Sequence, residues 1–288
     1  MSGAPDVDLP SLYPLLYEPL VRRALEEDLG RAGDLTSDAV LLLHQRAAAS
    51  VIARAAGRLS GLQVALSAFR LLDPSIEIEA LAADGEDVEA GAILATVQGR
   101  ARQILSAERT ALNFLGRLCG IATATRDMVR LVEPYGARIV CTRKTTPGLR
   151  ALEKYAVRCG GGHNHRFGLD DAVLIKDNHI ALAGDLRTAI ERARGAVGHL
   201  VKIEVEVDSL DQLREALDLG VDVVLLDNMS LDTLREAVAL AKGRAITEAS
   251  GGINPQTAAD IAATGVNLLS VGWLTHSAPS LDVALDVA

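Results

Sequence analysis

The second half of the chain alternates short apolar runs with amphipathic helical patterns, six times from residue 137 onward. Alternation of this kind is typical of strand–helix units, in which helices cover the faces of a parallel sheet. It predicts a parallel α/β barrel, complete or open, with a doubly wound sheet as the alternative. No Gly-x-Gly-x-x-Gly follows a strand, which counts against a dinucleotide-binding fold. The expected strands are 137–142, 171–177, 201–207, 222–228, 245–250 and 268–273.

Polar residues or glycines stand where each of these apolar runs ends. Because catalytic groups in α/β barrels sit at the carboxyl ends of the strands, these residues are expected to meet at one rim. This convergence is the strongest indication in the sequence that the chain has an active site. In chain order they are Arg143 and Lys144, Lys176, Glu204 and Glu206, Asp227, Glu248 with residues 250–252, and Gly272.

Residues 138–180 form a cationic segment within an acidic chain. They hold eight Lys and Arg against four acids, whereas the whole chain has a net charge of −9. This local excess predicts an anion-binding site rather than a surface for polyanions. With no third soft ligand beside His163 and His165, zinc is not expected, and His165 is interpreted as a hydrogen-bond donor to an anion. The side chains expected to bind carboxylates or phosphates are Arg143, Lys144, Arg166 and Lys176.

Two acids at strand ends suit a metal. Glu206 and Asp227 offer hard oxygen ligands, which Mg²⁺ prefers when it is shared with substrate phosphates. Glu204 lies on the same face of its strand as Glu206 and is expected to pair with a lysine, either Lys202 or Lys176. Lys176 has a structural alternative, an ion pair with one of these glutamates. The backbone N–H groups expected to bind a phosphate belong to Ser250, Gly251, Gly252 and Gly272.

Other charged residues of the cationic segment are interpreted as solvent-exposed. Three cations recur at helical spacing, which is typical of the exposed face of a helix: Arg150, Lys154 and Arg158. Three acids are expected to be surface charges as well: Glu153, Asp170 and Asp171.

The first half of the chain mixes helices with short strands. Residues 1–16 are interpreted as an irregular arm and residues 33–38 as a turn. Candidate breaks in the longest helix are Gly116 and Gly120. The predicted helices are 19–30, led by Pro19, then 61–72 and 102–133, and the predicted strands are 47–55, 76–82 and short pieces within 84–99.

Composition excludes several partners and locations. A pI near 5.2 argues against nucleic acid or an anionic membrane as the main partner. No apolar run reaches the ~18 residues needed to span a bilayer. The first ten residues lack the basic start and apolar run of a signal peptide. Cys119, Cys141 and Cys159 are odd in number and far apart, which is typical of reduced thiols in a cytoplasmic enzyme.

Several segments together resemble one enzyme family. They are ERTALNFL, TRKTTPGLR, EKYAV, GGGHNHRFGLDDAVLIKDNHI, EVEV, LLDNMS, EASGGI and SVGWLTHS. In this order, and over nearly the whole chain, they are similar to the motifs of the quinolinate phosphoribosyltransferases. The resemblance implies an N-terminal α/β sandwich domain in residues 1–117 and a C-terminal incomplete α/β barrel in residues 118–288. Whether the tail at 279–288 returns to the N-terminal domain is left open.

The resemblance also implies a reaction. Enzymes of this family join quinolinate to phosphoribosyl pyrophosphate on the de novo route to NAD. The products are nicotinate mononucleotide, pyrophosphate and CO₂, and Mg²⁺ accompanies the pyrophosphate donor. The implied assembly is a homodimer, or a set of dimers, in which the neighbour's N-terminal domain completes each active site.

By similarity, each motif residue receives a role. Arg109 is expected to reach the quinolinate bound by the neighbouring subunit. The dicarboxylate pocket would be formed by Arg143, His165, Arg166 and Lys176. The catalytic side chains would be Lys144 and Lys176 together with Glu206 and Asp227, which would face the ribose and the Mg²⁺-pyrophosphate. The 5-phosphate would be held by Ser250, Gly251, Gly252 and Gly272.

Three other interpretations stand beside this one. A related phosphoribosyltransferase acting on a monocarboxylate or another substrate would need fewer cations than the segment offers. A Schiff-base aldolase on a phosphate-binding barrel would use Lys176 as its nucleophile, which requires a lysine that is easily deprotonated. A non-catalytic metabolite sensor would have no reason to carry both the cationic pocket and the two acids.

Overall fold

The computed structural model describes residue 9 and residues 12–287 and divides the chain into two compact units. The first unit comprises the chain up to Arg126, then Thr146–Gly161 and the residues from Ser277 onward. The second unit comprises Asp127–Thr145 and Gly162–His276. The first unit is interrupted after Arg126, inside a long helix and nine residues after the domain boundary that the motifs suggest. Two later segments of the chain also belong to the first unit.

The first unit contains a four-stranded antiparallel sheet in the order β12-β1-β5-β3. Its last strand comes from the C-terminal tail, which pairs with β1 from Ala49↔Val287 to Ala53↔Val283. The buried faces of the sheet, of α3 and of α4 supply much of its apolar core. The strands are β1 (Arg46–Ala53), β2 (Gly57–Arg58), β3 (Glu77–Ala80), β4 (Asp87–Val88), β5 (Ile93–Arg100) and β12 (Val283–Val287). The helices are α1 (Pro14–Leu29), α2 (Leu35–Val40), α3 (Leu62–Leu72), α4 (Ala101–Val132) and α5 (Arg150–Cys159).

Two predictions near the N-terminus are wrong. Helix α1 begins at Pro14, five residues before Pro19, which lies inside it. A short helix, α2, replaces the turn expected at 33–38, because Asp34 caps it by accepting a hydrogen bond from the Ser37 N–H at 3.0 Å. Of the arm expected at 1–16, residues 1–8, 10 and 11 lie outside the described residues.

The breaks expected in α4 do not occur. Gly116 and Gly120 both lie inside this continuous helix of 32 residues. A Cβ on Gly116 would come within 2.9 Å of the Leu281 carbonyl oxygen, and one on Gly120 would overlap the Pro279 carbonyl. These glycines therefore allow the C-terminal segment to approach the helix backbone, a use of glycine that sequence alone does not distinguish from a helix break.

Two charged residues predicted to be exposed are buried in the first unit. Glu153 is 0% exposed and Lys154 is 1% exposed. Glu153 accepts hydrogen bonds from Arg117 Nη2 at 2.8 Å and from the Thr146 N–H at 3.0 Å. Helical spacing shows that residues share a face of α5, but it does not show whether that face meets water or protein.

The second unit is built on a six-stranded sheet in the order β6-β11-β10-β9-β8-β7, with every neighbouring pair parallel. The edge strands β6 and β7 are not hydrogen-bonded to each other in the part of the chain that the structure describes, so the barrel is open. This confirms the prediction of an incomplete α/β barrel. The strands are β6 (Arg138–Val140), β7 (Val173–Ile175), β8 (Ile203–Val207), β9 (Val223–Asp227), β10 (Ile246–Ser250) and β11 (Leu268–Ser270).

Helices follow the strands of the second unit, as the alternation predicts. Three of them begin at a residue whose side-chain oxygen accepts a backbone N–H, namely Asp185, Ser209 and Ser230. The helices are α6 (Asp177–Ala183), α7 (Leu186–Ala196), α8 (Leu210–Asp218), α9 (Leu231–Ala241), α10 (Ala258–Ala262) and α11 (Trp273–His276). Among the described residues, no helix is both long and apolar enough to cross a membrane.

Candidate active site

The carboxyl ends of the parallel strands surround a cavity of about 470 Å³ in the second unit. Eight of the residues singled out in the sequence line it: Arg143, Lys144, His165, Arg166, Lys176, Glu206, Asp227 and Ser250. The cavity wall also includes Glu248, which the sequence placed at a strand end without a role. The glycines at 251, 252 and 272 are not in the lining but follow the lining residues Ser250 and Ser270 by one or two positions.

The glycine-rich segment before β7 lies against the edge of β6. The His163 N–H donates to the Ile139 carbonyl at 2.8 Å, and the Cys141 N–H donates to the His163 carbonyl at 3.0 Å. This parallel bridge continues the sheet at the edge where a closed barrel would place another strand. It brings His165 and Arg166 to the strand end that carries Arg143.

Two arginines stand side by side in the cavity. Burial lowers the pKa of Arg166, and repulsion by the neighbouring Arg143 guanidinium lowers it further. Arg166 Nη1 donates to the Ala172 carbonyl at 3.2 Å, whereas Arg143 Nε is buried without a hydrogen-bond partner. Adjacent guanidinium groups with an unsatisfied donor fit a ligand that carries carboxylates.

The second cationic position is an ion pair. Lys176 Nζ donates to Glu206 Oε2, so the structural alternative for this lysine holds for Glu206 and not for Glu204. The backbone N–H of Lys176 donates to His179 Nδ1 at 2.9 Å, which anchors the start of α6. The ammonium group therefore lies at the end of β7 in contact with an acid at the end of β8.

Lys144 and Gly272 occupy neighbouring positions. The Lys144 carbonyl accepts a hydrogen bond from Thr275 Oγ1 at 2.8 Å, which ties the loop after β6 to α11. A Cβ on Gly272 would lie 3.0 Å from Lys144 Cδ. Glycine at this position leaves room for the lysine side chain to pass.

The strands β9 and β10 end together. Asp227 and Ser250 are partners in the parallel register, and the next N–H, that of Asn228, donates to the Ser250 carbonyl at 2.9 Å. Gly251 and Gly252 follow with φ of +96° and +63°, which L side chains rarely adopt. The chain therefore turns sharply at the rim, beside the Asp227 carboxylate.

A buried acid pair lies beneath His165. Glu204 is 7% exposed and Glu248 is 2% exposed. His165 Nε2 lies 2.8 Å from Glu204 Oε2 and 3.7 Å from Glu248 Oε1. Burial raises the pKa of Glu248 to about 7, and the neighbouring Glu204 raises it as well, while His165 acts in the opposite direction.

The hydrogen bonds of His165 determine its tautomer. The Arg166 N–H donates to His165 Nδ1 at 2.8 Å, so Nδ1 uses its lone pair as an acceptor. A neutral imidazole then carries its proton on Nε2, which donates to Glu204. The three groups His165, Glu204 and Glu248 lie close enough to surround a cation, but this tautomer leaves no Nε2 lone pair for a metal.

One sequence-based interpretation stays a prediction and another is wrong. His165 lines the cavity, as expected, with both ring nitrogens engaged by protein groups, and its role toward an anion stays a prediction. Glu204 contacts this histidine rather than a lysine, because Lys202 pairs with Asp222 at 2.5 Å and Lys176 with Glu206. Which side chains on nearby strands form an ion pair depends on their lengths and rotamers, which the spacing of residues along a strand does not specify.

Arg109 belongs to a different part of the molecule. It lies on α4 of the first unit, where its side chain is 67% exposed and its closest acid is Glu108 at 3.9 Å. It lines another cavity of about 530 Å³ in that unit, together with residues of the C-terminal segment such as Ser280 and Asp282. Arg109 is not among the residues that line the cavity of the second unit.

Comparison with known proteins extends over almost the whole chain. The family model described as the quinolinate phosphoribosyl transferase N-terminal domain matches residues 34–119, and that of the C-terminal domain matches residues 121–286. The probable nicotinate-nucleotide pyrophosphorylase (carboxylating) of Bacillus subtilis is 45% identical and aligns over 95% of this chain and 94% of its own length. The corresponding Mycobacterium leprae protein is 44% identical over 93% of this chain and 95% of its own length. The crystal structure of NadC from Streptococcus pyogenes superposes with a TM-score of 0.93, at 39% identity, covering 97% of this chain and 99% of that one.

Proposed function

This chain belongs to the quinolinate phosphoribosyltransferase family, and we propose that it transfers the phosphoribosyl group of phosphoribosyl pyrophosphate to quinolinate with loss of CO₂. The products are nicotinate mononucleotide, pyrophosphate and CO₂, on the de novo route to NAD. The observation that carries the proposal is the pair of neighbouring guanidinium groups, Arg143 and Arg166, in a cavity that also holds the carboxylates of Glu206 and Asp227.

Quinolinate is a dianion, and its two adjacent carboxylates match two adjacent arginines. Arg143 and Arg166 would hold them with paired, charge-assisted hydrogen bonds, which also satisfies the orphaned Arg143 Nε. Lys176 would add a third cation at the end of β7, the other edge strand of the sheet. A monocarboxylate would leave one arginine of the pair without a counter-ion, so quinolinate is favoured over nicotinate as the substrate.

The transfer itself requires little covalent chemistry from the protein. The pyridine nitrogen attacks the anomeric carbon as the bond to the pyrophosphate oxygen breaks, and pyrophosphate leaves with the electron pair. Positive charge develops on the ribose in the transition state, and Glu206 and Asp227 would stabilise it. Holding two anionic substrates in the attack geometry is the main contribution of the site.

Decarboxylation follows from the product of the transfer. Once ribosylated, the ring nitrogen is cationic and accepts the electron pair released when the adjacent carbon–carboxylate bond breaks. A proton from solvent then takes the place of the departed CO₂ on the ring carbon. No further cofactor is required for this step.

The donor would be bound at the other strand ends. The turn at Ser250, Gly251 and Gly252, together with Gly272, would present backbone N–H groups to the 5-phosphate, and Lys144 would lie between the substrates. The carboxylate oxygens of Glu206 and Asp227 suit Mg²⁺, which they would hold together with the pyrophosphate, directly or through water. Bound there, Mg²⁺ would offset the charge on the leaving pyrophosphate.

The aldolase alternative is less well supported. A Schiff-base lysine must present a neutral amine to its substrate. In the structure Lys176 Nζ is engaged in an ion pair with the Glu206 carboxylate, which a Schiff-base nucleophile would have to leave. The three free cysteines are buried thiols, which supports the cytoplasm as the place of this reaction.

The proposed activity is tested directly. The protein is mixed with phosphoribosyl pyrophosphate, Mg²⁺ and quinolinate labelled at the 2-carboxylate, and released CO₂ and nicotinate mononucleotide are measured. Both are expected in equal amounts, and nicotinate in place of quinolinate is expected to give no nucleotide. If neither product forms with quinolinate, the proposed function is wrong.

We also propose a homodimer in which Arg109 reaches the site of the neighbouring subunit. Its exposure on α4 supports such a role. Arg109→Ala and Lys144→Ala, each inactive alone, are co-expressed with different tags, and the hybrid is isolated through both tags. One of its two sites has both residues, so about half of the wild-type activity is expected. Arg109→Ala carrying both tags is the matched control, and a hybrid as inactive as this control would contradict a shared site.

A further inference from the structure

Asn228 has an unusual backbone conformation at the rim of the cavity. Its φ is +51°, and it is the non-glycine residue with positive φ among the described residues. Asparagine tolerates this left-handed region better than most L residues, but glycine adopts it more readily still. Backbone strain of this kind tends to be retained where the side chain has a task.

The amide group of Asn228 donates to the acid before it. Asn228 Nδ2 lies 2.8 Å from Asp227 Oδ2, so the amide holds one oxygen of the carboxylate in place. A half-buried carboxylate at a strand end otherwise has more than one accessible rotamer. The hydrogen bond therefore selects one orientation for the Asp227 side chain and leaves Oδ1 on the other side of the group.

The other end of the same amide packs against the turn after β10. A Cβ on Gly251 would overlap Asn228 Oδ1, so the asparagine side chain occupies the space that a side chain at 251 would need. The Asn228 N–H donates to the Ser250 carbonyl at 2.9 Å, which adds a backbone link between the same two strand ends. One residue thus contacts both the acid of β9 and the glycine turn of β10.

We propose that Asn228 is a positioning residue that holds the Asp227 carboxylate and the Gly251 turn in fixed relation, and thereby sets the affinity for the phosphoribosyl donor. This inference rests on the proposed function, in which the acid faces the Mg²⁺-pyrophosphate and the turn faces the 5-phosphate of one and the same substrate. The arginine pair that would bind quinolinate lies on other elements and has no contact with this amide among the described hydrogen bonds.

Two substitutions separate the side chain from the backbone. Asn228→Gly accepts the positive φ without strain and removes both side-chain contacts. Asn228→Asp keeps the shape and replaces the donor by a second carboxylate facing Asp227. Asn267→Asp is the matched control, because it makes the same change of charge at an exposed asparagine just before the amino end of β11, away from the rim. Asn267 Oδ1 already accepts a hydrogen bond from the Thr247 N–H.

The experiment measures steady-state KM for each substrate and the thermal midpoint. For Asn228→Asp, KM for phosphoribosyl pyrophosphate is expected to rise about tenfold, and for Asn228→Gly about threefold, with KM for quinolinate changed less than about twofold. The midpoint of Asn228→Gly should stay within about 2 °C of wild type. Asn267→Asp should leave both KM values near wild type. A parallel rise of both KM values, an unchanged donor KM or a large fall in midpoint for Asn228→Gly would overturn the proposal.

A double-substitution cycle tests the contact with the turn. Gly251→Ala should raise donor KM strongly, and this increase should be smaller in the Asn228→Gly background, because the overlap with Oδ1 is gone. Equal increases in both backgrounds would refute the packing argument. Calorimetric titration with Mg²⁺-phosphoribosyl pyrophosphate measures the donor affinity of each variant without turnover. A wild type that binds the donor but forms no product would count against the proposed function. The donor affinities of the Asn228 variants would then still test the role of Asn228.

Discussion

Replacing Glu248 by glutamine should change how the stability of the second unit depends on pH. Glu248 is 2% exposed, and its pKa is raised from an ordinary 4.5 to about 7, first by burial and then by the negative charge of Glu204. Each unit of pKa difference corresponds to about 1.4 kcal/mol. Ionising this carboxyl in the folded chain therefore costs about 3 kcal/mol more than ionising it in the unfolded chain.

The sign follows from which state binds the proton more tightly. The folded state keeps the proton up to about pH 7, whereas the unfolded state releases it near pH 4.5. The unfolded state thus binds fewer protons in this window, and the free energy of unfolding of the wild type falls as pH rises through it. Below pH 4.5 the contribution is fully present, and above the folded pKa it is lost.

Glutamine imitates the protonated acid. It places an N–H where protonated Glu248 has an O–H, in a carboxyl group that has an oxygen within 4.8 Å of a Glu204 oxygen. Because glutamine does not titrate, the difference in unfolding free energy between Glu248→Gln and wild type should shift by about 3 kcal/mol in favour of the variant between pH 4.5 and 7.5. Any effect of the substitution on packing that does not depend on pH changes this difference equally at pH 4.5 and at pH 7.5, and so leaves the shift unaltered.

The assay is urea unfolding at a series of pH values, followed by tryptophan fluorescence. The chain has a single tryptophan, Trp273, which lies in the second unit and donates to the Ile253 carbonyl at 3.1 Å. Glu215→Gln, an exposed change on α8, is the matched control and should give a difference that varies by less than about 0.5 kcal/mol. A Glu248→Gln difference as flat as that control would refute the reasoning, because it would mean that Glu248 titrates alike in both states.

Two further changes test other contacts. Arg166→Lys keeps the positive charge but loses the planar guanidinium group and its hydrogen bond to the Ala172 carbonyl. In steady-state kinetics, KM for quinolinate should rise between about tenfold and a hundredfold, with KM for the donor nearly unchanged. Equal rises of both KM values would contradict a role in quinolinate binding. Arg117→Met removes the cation that pairs with the fully buried Glu153 and should lower the free energy of unfolding, measured in urea, by about 3 kcal/mol. A loss under about 1 kcal/mol would show that the folded chain tolerates the buried Glu153 without this partner.

The strand ends of the second unit could be predicted because the relevant information is local. Lys176, Glu206 and Asp227 each stand at the end of an apolar run, and the rule for parallel strands brings such ends to one edge. No knowledge of side-chain contacts is needed for this step. The same holds for a parallel α/β architecture, since the strand–helix repeat and its handedness leave few other arrangements, whereas the expectation of an open barrel rests on the family resemblance.

The layer below the cavity could not be predicted in the same way. His165, Glu204 and Glu248 come from a loop and two strands that are not neighbours in sequence or in the sheet. Whether a glutamate faces water or a histidine depends on side-chain reach and on what covers it. Glu204 and Glu206 share one face of β8, yet one is buried against His165 and the other pairs with Lys176.

The order of the strands explains why two different anions can share one rim. Cations stand at both edges of the sheet, with Arg143 after β6 and Lys176 after β7, whereas the acids and the glycine turn follow the central strands β8, β9 and β10. A closed barrel would join β6 to β7 by hydrogen bonds. In this chain the segment that carries Arg166 pairs with the edge of β6 instead, and Arg166 and Arg143 line the same cavity close enough for the charge of Arg143 to lower the pKa of Arg166. In the proposed reaction, the opening in the barrel would therefore provide the place for the dicarboxylate, and the hydrogen-bonded part of the sheet would hold the sugar donor.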